Sequence, residues 1–155
     1  MLSFPKNLFM KKYLFLSLLL AGVQLVQAQE KAAAPIVKQK WHFGGTQDTA
    51  SGYVQVVKVD NVLYVSGTVS RDLTPEGVKK LYTNLEKSLQ HFGASFQHVV
   101  KENLYTLDMD AMKKLNDVRK SFYKGDFPAA TWVQVSRLYM PEIKLEVELV
   151  AHLPK

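Results

Sequence analysis

The sequence predicts an α+β domain, one β-sheet with two helices packed on a single face. Three observations predict it. Val78, Leu81, Leu85 and Leu89 recur at helical spacing and form one apolar stripe. Ile143, Leu145, Val147 and Leu149 alternate with Lys144, Glu146 and Glu148, the period of a strand with one buried face. Taken along the chain, the patterns read β-β-α-β-α-β-β, and strand groups interrupted by two helices fit a single layered sheet. A chain of 155 residues has room for one such core. The opposite sheet face would stay exposed in a monomer, and sheets of this kind often bury it by oligomerising.

The first two strands form a hairpin over Gly52–Gly67. Tyr53, Gln55 and Val57 alternate with Val54, Val56 and Lys58. Asp60 and Asn61 make the turn, since both tolerate the positive φ of tight hairpins. Val62 to Val65 return, and Ser66-Gly67-Thr68 is expected to end the strand. The first helix is expected over about 75–92, with Thr74 as its cap, Pro75 in its first turn and Gly93 as its stop. A strand of mixed pattern spans Val99–Leu107. One helix follows, capped by Asp108 or Asp110, with Met112, Leu115, Val118 and Phe122 as its stripe and Gly125 at its end. The segment Phe127–Arg137 reads as a buried, central strand entered through Pro128. Alternation puts Ala130, Trp132, Gln134 and Ser136 on one face and Thr131, Val133, Val135 and Arg137 on the other. A loop around Tyr139-Met140-Pro141 leads to the last strand.

Residues 1–28 read as an export signal starting at Met10. Lys11 and Lys12 precede an apolar run from Tyr13 to Val23, and Val26-Gln27-Ala28 is a small-residue cleavage site. That run is short of the roughly 20 residues that span a bilayer, so no stable membrane span is expected after cleavage, and the mature protein is expected in the periplasm or medium. Residues 29–51 read as a linker or extension in which Trp41 and Phe43 can pack onto a domain spanning 52–155. The formal charge of +6 falls to +3 without the signal, a weak signal for nucleic acid. The absence of cysteine excludes disulfides, thiolate nucleophiles and cysteine-ligated metals. The histidines show no metal-ligand spacing, and no metal or cofactor is expected.

Six stretches stand in register: Gly52-Tyr53-Val54-Gln55, Asn61 to Gly67, Asn84 to Gly93, Asn116 with Ser121-Phe122-Tyr123, Phe127-Pro128-Ala129 with Val133 to Leu138, and Ile143 to Glu148 with Ala151. Together they resemble the reactive intermediate deaminases, the RidA or YjgF family. The resemblance covers roughly residues 52–151. It implies a chorismate-mutase-like fold and a homotrimeric barrel with small-ligand clefts between subunits. It also implies cofactor-free hydrolysis of an imine or enamine acid. In such enzymes an arginine grips the substrate carboxylate, a glutamate helps place the water, and a tyrosine completes the pocket. By position the glutamate is Glu146 and the tyrosine Tyr53. Ser66 and Gly67 fall on the pocket edge, and Asn116, Ala130, Thr131 and Trp132 are the other expected binding positions.

The arginine does not carry over, because position 130 is alanine. A methyl group cannot bind a carboxylate, and losing one charge-assisted hydrogen bond costs about 1.5–3 kcal/mol. Arg137 faces away by parity. Arg119 and Lys144 could substitute only in a differently folded pocket. Each site residue also has a plainer reading. Tyr53 could pack at a subunit contact, Glu146 could lie on a solvated face, and Trp132 could be trimer core or an aromatic wall. Three functions therefore remain open. They are hydrolysis of an imine with altered substrate preference, binding of a small ligand without turnover, and, disfavoured by the modest charge, RNA binding or cleavage.

Overall fold

A computed structural model describes residues 34–154. The expected export signal lies outside them. Six strands form one sheet in the order β1-β2-β3-β6-β4-β5. In chain order these are β1 (Gln39–Trp41), β2 (Val56–Val59), β3 (Val62–Ser70), β4 (Val99–Thr106), β5 (Ala129–Gln134) and β6 (Leu145–His152). All neighbours are antiparallel except β4 and β5, which are parallel and joined through helices. The α+β layering is as expected, and β1 adds a strand before residue 52. Trp41, at its end, stacks on His91 with ring centroids 4.8 Å apart.

The long helix α1 (Pro75–His91) begins as its sequence dictates. Thr74 caps it by accepting the Gly77 N–H at 3.1 Å. Gly93, at φ 72°, turns the chain away at the far end. Val78, Leu81, Leu85 and Leu89 are buried against Val56, Leu63, Val65, Leu104, Val147 and Leu149 of the sheet. The β2–β3 hairpin closes through Asp60, which takes the expected positive φ of 51°.

Three elements differ from expectation. β3 does not end at Ser66-Gly67-Thr68 but continues to Ser70 through a bulge, where the register to β6 shifts between Val65 and Thr68. The second helix is two, α2 (Met109–Lys114) and α3 (Asn116–Tyr123), because the Leu115 and Val118 N–H groups bond three residues back, to Met112 and Leu115. β5 is neither central nor buried. It is a six-residue edge strand, mostly exposed. Its apolar alternation resembles that of an interior strand, but β4 alone among the described strands pairs with it.

The face of the sheet away from the helices is open. Tyr64, Val69 and Val133 are exposed there, while Glu146, Glu148 and Val150 are partly covered.

Beneath β4 and β5 lies a buried polar cluster with no counterpart in the sequence reading. Glu102 is fully buried, on the helix face of β4. Its Oε2 accepts the hydroxyls of Tyr82 at 3.0 Å and Tyr123 at 2.6 Å, and its Oε1 accepts Arg119 Nε at 2.7 Å and Trp132 Nε1 at 3.3 Å. Burial first, and then the Glu102 charge, push both tyrosine hydroxyls well above their ordinary range, so they remain donors. Arg119 also lies over the Tyr123 and Trp132 rings, at 4.9 and 5.3 Å. Four donors satisfy one buried carboxylate, which is what burying a charge requires.

Arg119→Met would strand that carboxylate. The expected loss is about 3–5 kcal/mol of unfolding free energy, measured by urea titration. A loss below about 1 kcal/mol, typical of a surface pair, would contradict the pairing.

Candidate active site

The site is built from a turn, a bulge and a strand. In the turn, the Asp48 and Tyr53 backbones exchange hydrogen bonds of 3.1 Å, and the Ser51 N–H donates to Asp48 Oδ1 at 2.9 Å. Gly52 sits at φ 73°, where a side chain would be strained. This turn presents Tyr53 and the Asp48 carboxylate side by side. Those backbone bonds at Ser51 are the main reason the Asp48 carboxyl stays below its ordinary pKa.

The segment after Tyr53 clamps the β3 bulge. Ser66 Oγ donates to the Val54 carbonyl at 2.7 Å, and Ser66 N–H to the Gln55 carbonyl at 2.9 Å. Gln55, itself buried, returns two bonds through Nε2, to the Ser66 carbonyl at 3.0 Å and Thr68 Oγ1 at 3.1 Å. The clamp fixes Gly67 opposite β6, where Glu146 pairs with Val69. A methyl group on Gly67 would overlap the Glu146 carboxylate and stand 2.7 Å from its Cδ. The missing side chain thus makes the seat in which Glu146 lies.

Glu146 is half-buried there. Burial, and then the charge of Glu148, raise its pKa above the ordinary carboxylate value. Glu148 accepts Asn103 Nδ2 at 2.7 Å and Tyr105 OH at 3.2 Å. Glu146, by contrast, has no hydrogen-bond donor among the described side chains. A carboxylate so placed, moved towards neutral pH and open to a cleft, can take a proton from water.

The cleft in front of it has a volume of about 480 Å³. Tyr53, Ser66, Gly67 and Glu146 all line it, so four expected site residues meet. The other four do not join them within the chain. Ala130, Thr131 and Trp132 are on β5, with β4 standing between it and β6. Ala130 and Trp132 pair with Glu102 and Leu104 on the helix face, whereas Glu146 is on the open face. Trp132 packs against Glu102 and Arg119 rather than lining the Glu146 cleft. Asn116 opens α3, and its Oδ1 is buried without a hydrogen-bond partner. Arg119 is committed to Glu102 through Nε, so it does not serve this cleft.

Asp48, Tyr139, Met140 and Ile143 also line the cleft and were not anticipated. Asp48 was legible in principle, as an acid four residues before the turn glycine. Tyr139 and Met140 sit in an irregular loop whose path no periodicity encodes. Among the described residues no three His, Asp or Glu side chains gather as a metal site.

A carboxyl whose pKa is raised on folding weakens the fold while ionised. The penalty is full above the raised value and disappears as pH falls through it towards the ordinary value. Glu146→Gln should therefore raise the melting temperature at pH 8, with the gain shrinking as the carboxyl protonates. A variant less stable than wild type at pH 8 would show that Glu146 is held by favourable contacts instead.

The family model described as endoribonuclease L-PSP matches residues 45–153. The 2-iminobutanoate/2-iminopropanoate deaminase of Mus musculus is 33% identical over 108 residues, covering 64% of this chain and 79% of the mouse protein. A RutC family protein of Pyrococcus abyssi is 30% identical over 109 residues, covering 64% of this chain and 85% of its own. Among solved structures, a Mycobacterium tuberculosis member of the YjgF/YER057c/UK114 family superposes with a TM-score of 0.68 at 21% identity. It covers 76% of this chain and 100% of its own. The fold implied by the six resembling stretches is thus the fold observed, and the chain belongs to the RidA/YjgF family, the endoribonuclease L-PSP family of the matching model.

Proposed function

We propose that the protein hydrolyses a small imine or enamine to a carbonyl compound and ammonia. Its substrate preference differs from that of the imino-acid deaminases, because the carboxylate-binding position is Ala130. One observation carries the reading: the Glu146 carboxylate is seated on Gly67 beside Tyr53, in a cleft of small-molecule size. In the reaction, Glu146 takes a proton from water as its oxygen attacks the imine carbon. It then returns the proton to the nitrogen, and ammonia leaves as the carbonyl forms. The raised pKa of Glu146 suits both transfers.

The proposal includes a homotrimer acting outside the cytoplasm. The open sheet face supports assembly, because it carries exposed Tyr64 and Val133 beside polar groups. So does the division of the expected site. Ala130, Trp132 and Asn116 cannot reach Glu146 in one chain, and a second copy could bring them to it. Export rests on residues 1–28 and is checked by the mass of the mature chain, expected to begin at Gln29. The endoribonuclease description of the family model is not favoured for this chain, since no Lys, Arg or His is among the described residues lining the cleft.

Clearance of freshly generated 2-iminopropanoate tests the reading. Wild type should clear it poorly, and Ala130→Arg should gain about 10-fold or more. A wild type as fast as the variant would show that another group holds the carboxylate. On any imine the wild type turns over, Glu146→Gln should lose about 100-fold or more. Gly67→Ala should keep the fold but lose about 100-fold by displacing the carboxylate. Turnover that survives both changes would end the role given to Glu146. Ligand binding without turnover of any imine would leave a non-catalytic binding protein.

A further inference from the structure

We propose that the Glu146 cleft selects a cationic nitrogen on an apolar body, so that its substrate is a protonated imine without a carboxylate. This rests on the reading of the site as an imine hydrolase and names the substrate class.

The cleft itself carries the inference. Its polar wall includes two carboxylates, Asp48 and Glu146, which lie on opposite sides of Tyr53 in sequence and line the same cleft. Among the described residues, no Lys, Arg or His lines it. A ligand carboxylate entering would meet charge of its own sign, and this chain's lining gives it no cation; the neighbouring imidazole, His42, packs edge-on against the Tyr53 ring at 5.5 Å and faces Asp48. Two such charges cost energy unless a countercharge is supplied. The Asp48 carboxylate is fixed by the Ser51 N–H at 2.9 Å and stays ionised down to acid pH. Two tyrosines, Tyr53 and Tyr139, line the same cleft, the second residue 84% exposed. Aromatic faces attract cations and repel anions. Val69, Met140 and Ile143 supply an apolar floor for the body of the ligand.

The chemistry balances without any further reactant. The oxygen of water forms a bond to the carbon of R₂C=NH₂⁺, and the C=N π pair moves to nitrogen. Glu146 takes one proton from the water and delivers it to that nitrogen. The C–N bond then breaks with its pair, the hydroxyl becomes a carbonyl, and its proton goes to ammonia. The sum is R₂C=NH₂⁺ + H₂O → R₂C=O + NH₄⁺. Substrate and product nitrogen are both cationic, so the carboxylates favour the whole path.

The full-length protein is titrated by NMR with benzylammonium and with phenylacetate, stable ligands of like shape and opposite charge. The cation should bind about 10-fold tighter, less so at high salt. Asp48→Asn should erase much of that preference. Tyr139→Leu, an exposed change that leaves the fold intact, should weaken the cation by about twofold to fivefold and spare the anion. Phenylacetate binding as tightly, no binding of either ligand, or a preference untouched by both variants would each overturn the proposal. Turnover judges the underlying reading separately. The protein is given the imine made from a primary amine by an amine oxidase, and the 2-imino acid made by an amino-acid oxidase. Faster clearance of the first supports the proposal. Equal or faster clearance of the 2-imino acid overturns it while leaving the hydrolase reading intact. Neither imine cleared, with the cation preference present, ends the hydrolase reading and leaves the charge selection standing.

Discussion

A side chain that lies across the backbone of a neighbouring strand needs a position there that carries no side chain of its own. In this protein that constraint falls on Gly67, and much of the site follows from it. Gly67 must lie under the Glu146 side chain, two residues before Val69, the β3 partner of Glu146, and it does so within the bulge between Val65 and Thr68. The bulge leaves Ser66 backbone groups that β6 does not pair, and Gln55 satisfies them, its carbonyl accepting the Ser66 N–H and its Nε2 donating to the Ser66 carbonyl, while Ser66 Oγ donates to the Val54 carbonyl. Those same bonds draw in the chain just after Tyr53, which brings the Asp48 turn to the mouth of the cleft. One missing side chain thus sets the place of two carboxylates and a tyrosine.

The two faces of the sheet have been given different tasks. The helix face holds the apolar core and, at its β5 end, one carboxylate satisfied by four donors. The open face holds Glu146 and Glu148, of which only Glu148 is satisfied by side chains. The contrast separates a structural carboxylate from one left available for chemistry. Glu102 has its countercharge and stays out of solvent. Glu146 has burial and a like charge beside it, the combination that moves a carboxyl towards a working pKa. This arrangement sacrifices some stability at Glu146, the group to which the proposed reaction assigns the proton transfers.

Periodicity carried a good part of this to the level of sequence. The stripe on α1 and the alternation of β6 report burial directly, because each element packs one face on one core. Glu146, Tyr53, Ser66 and Gly67 are expected together through the resemblance, and all four line one cleft. The alternation of β6 alone left Glu146 as an ordinary solvated residue. Other features depend on partners distant in the chain, which no local pattern records. β5 has the apolar alternation of an interior strand, yet its position at the sheet edge is set by topology. The bulge adds one residue to β3 and looks from the sequence like the end of a strand. Glu102 alternates like a residue of a mixed strand, and its burial depends on Tyr82 of α1, Arg119 and Tyr123 of α3 and Trp132 of β5. Asp48, Tyr139 and Met140 come from irregular segments, where composition says loop and nothing says which way the loop goes.

The central claim is that Glu146, held above its ordinary pKa by burial and by Glu148, is the base that activates water. The pH dependence of kcat/KM on an imine the protein turns over tests it most directly. The claim predicts an acid limb in which activity falls as pH drops through a value above the ordinary carboxylate range, and Glu148→Gln should move that limb to lower pH by removing the like charge. A limb at the ordinary glutamate value, or one that Glu148→Gln leaves in place, would contradict the claim.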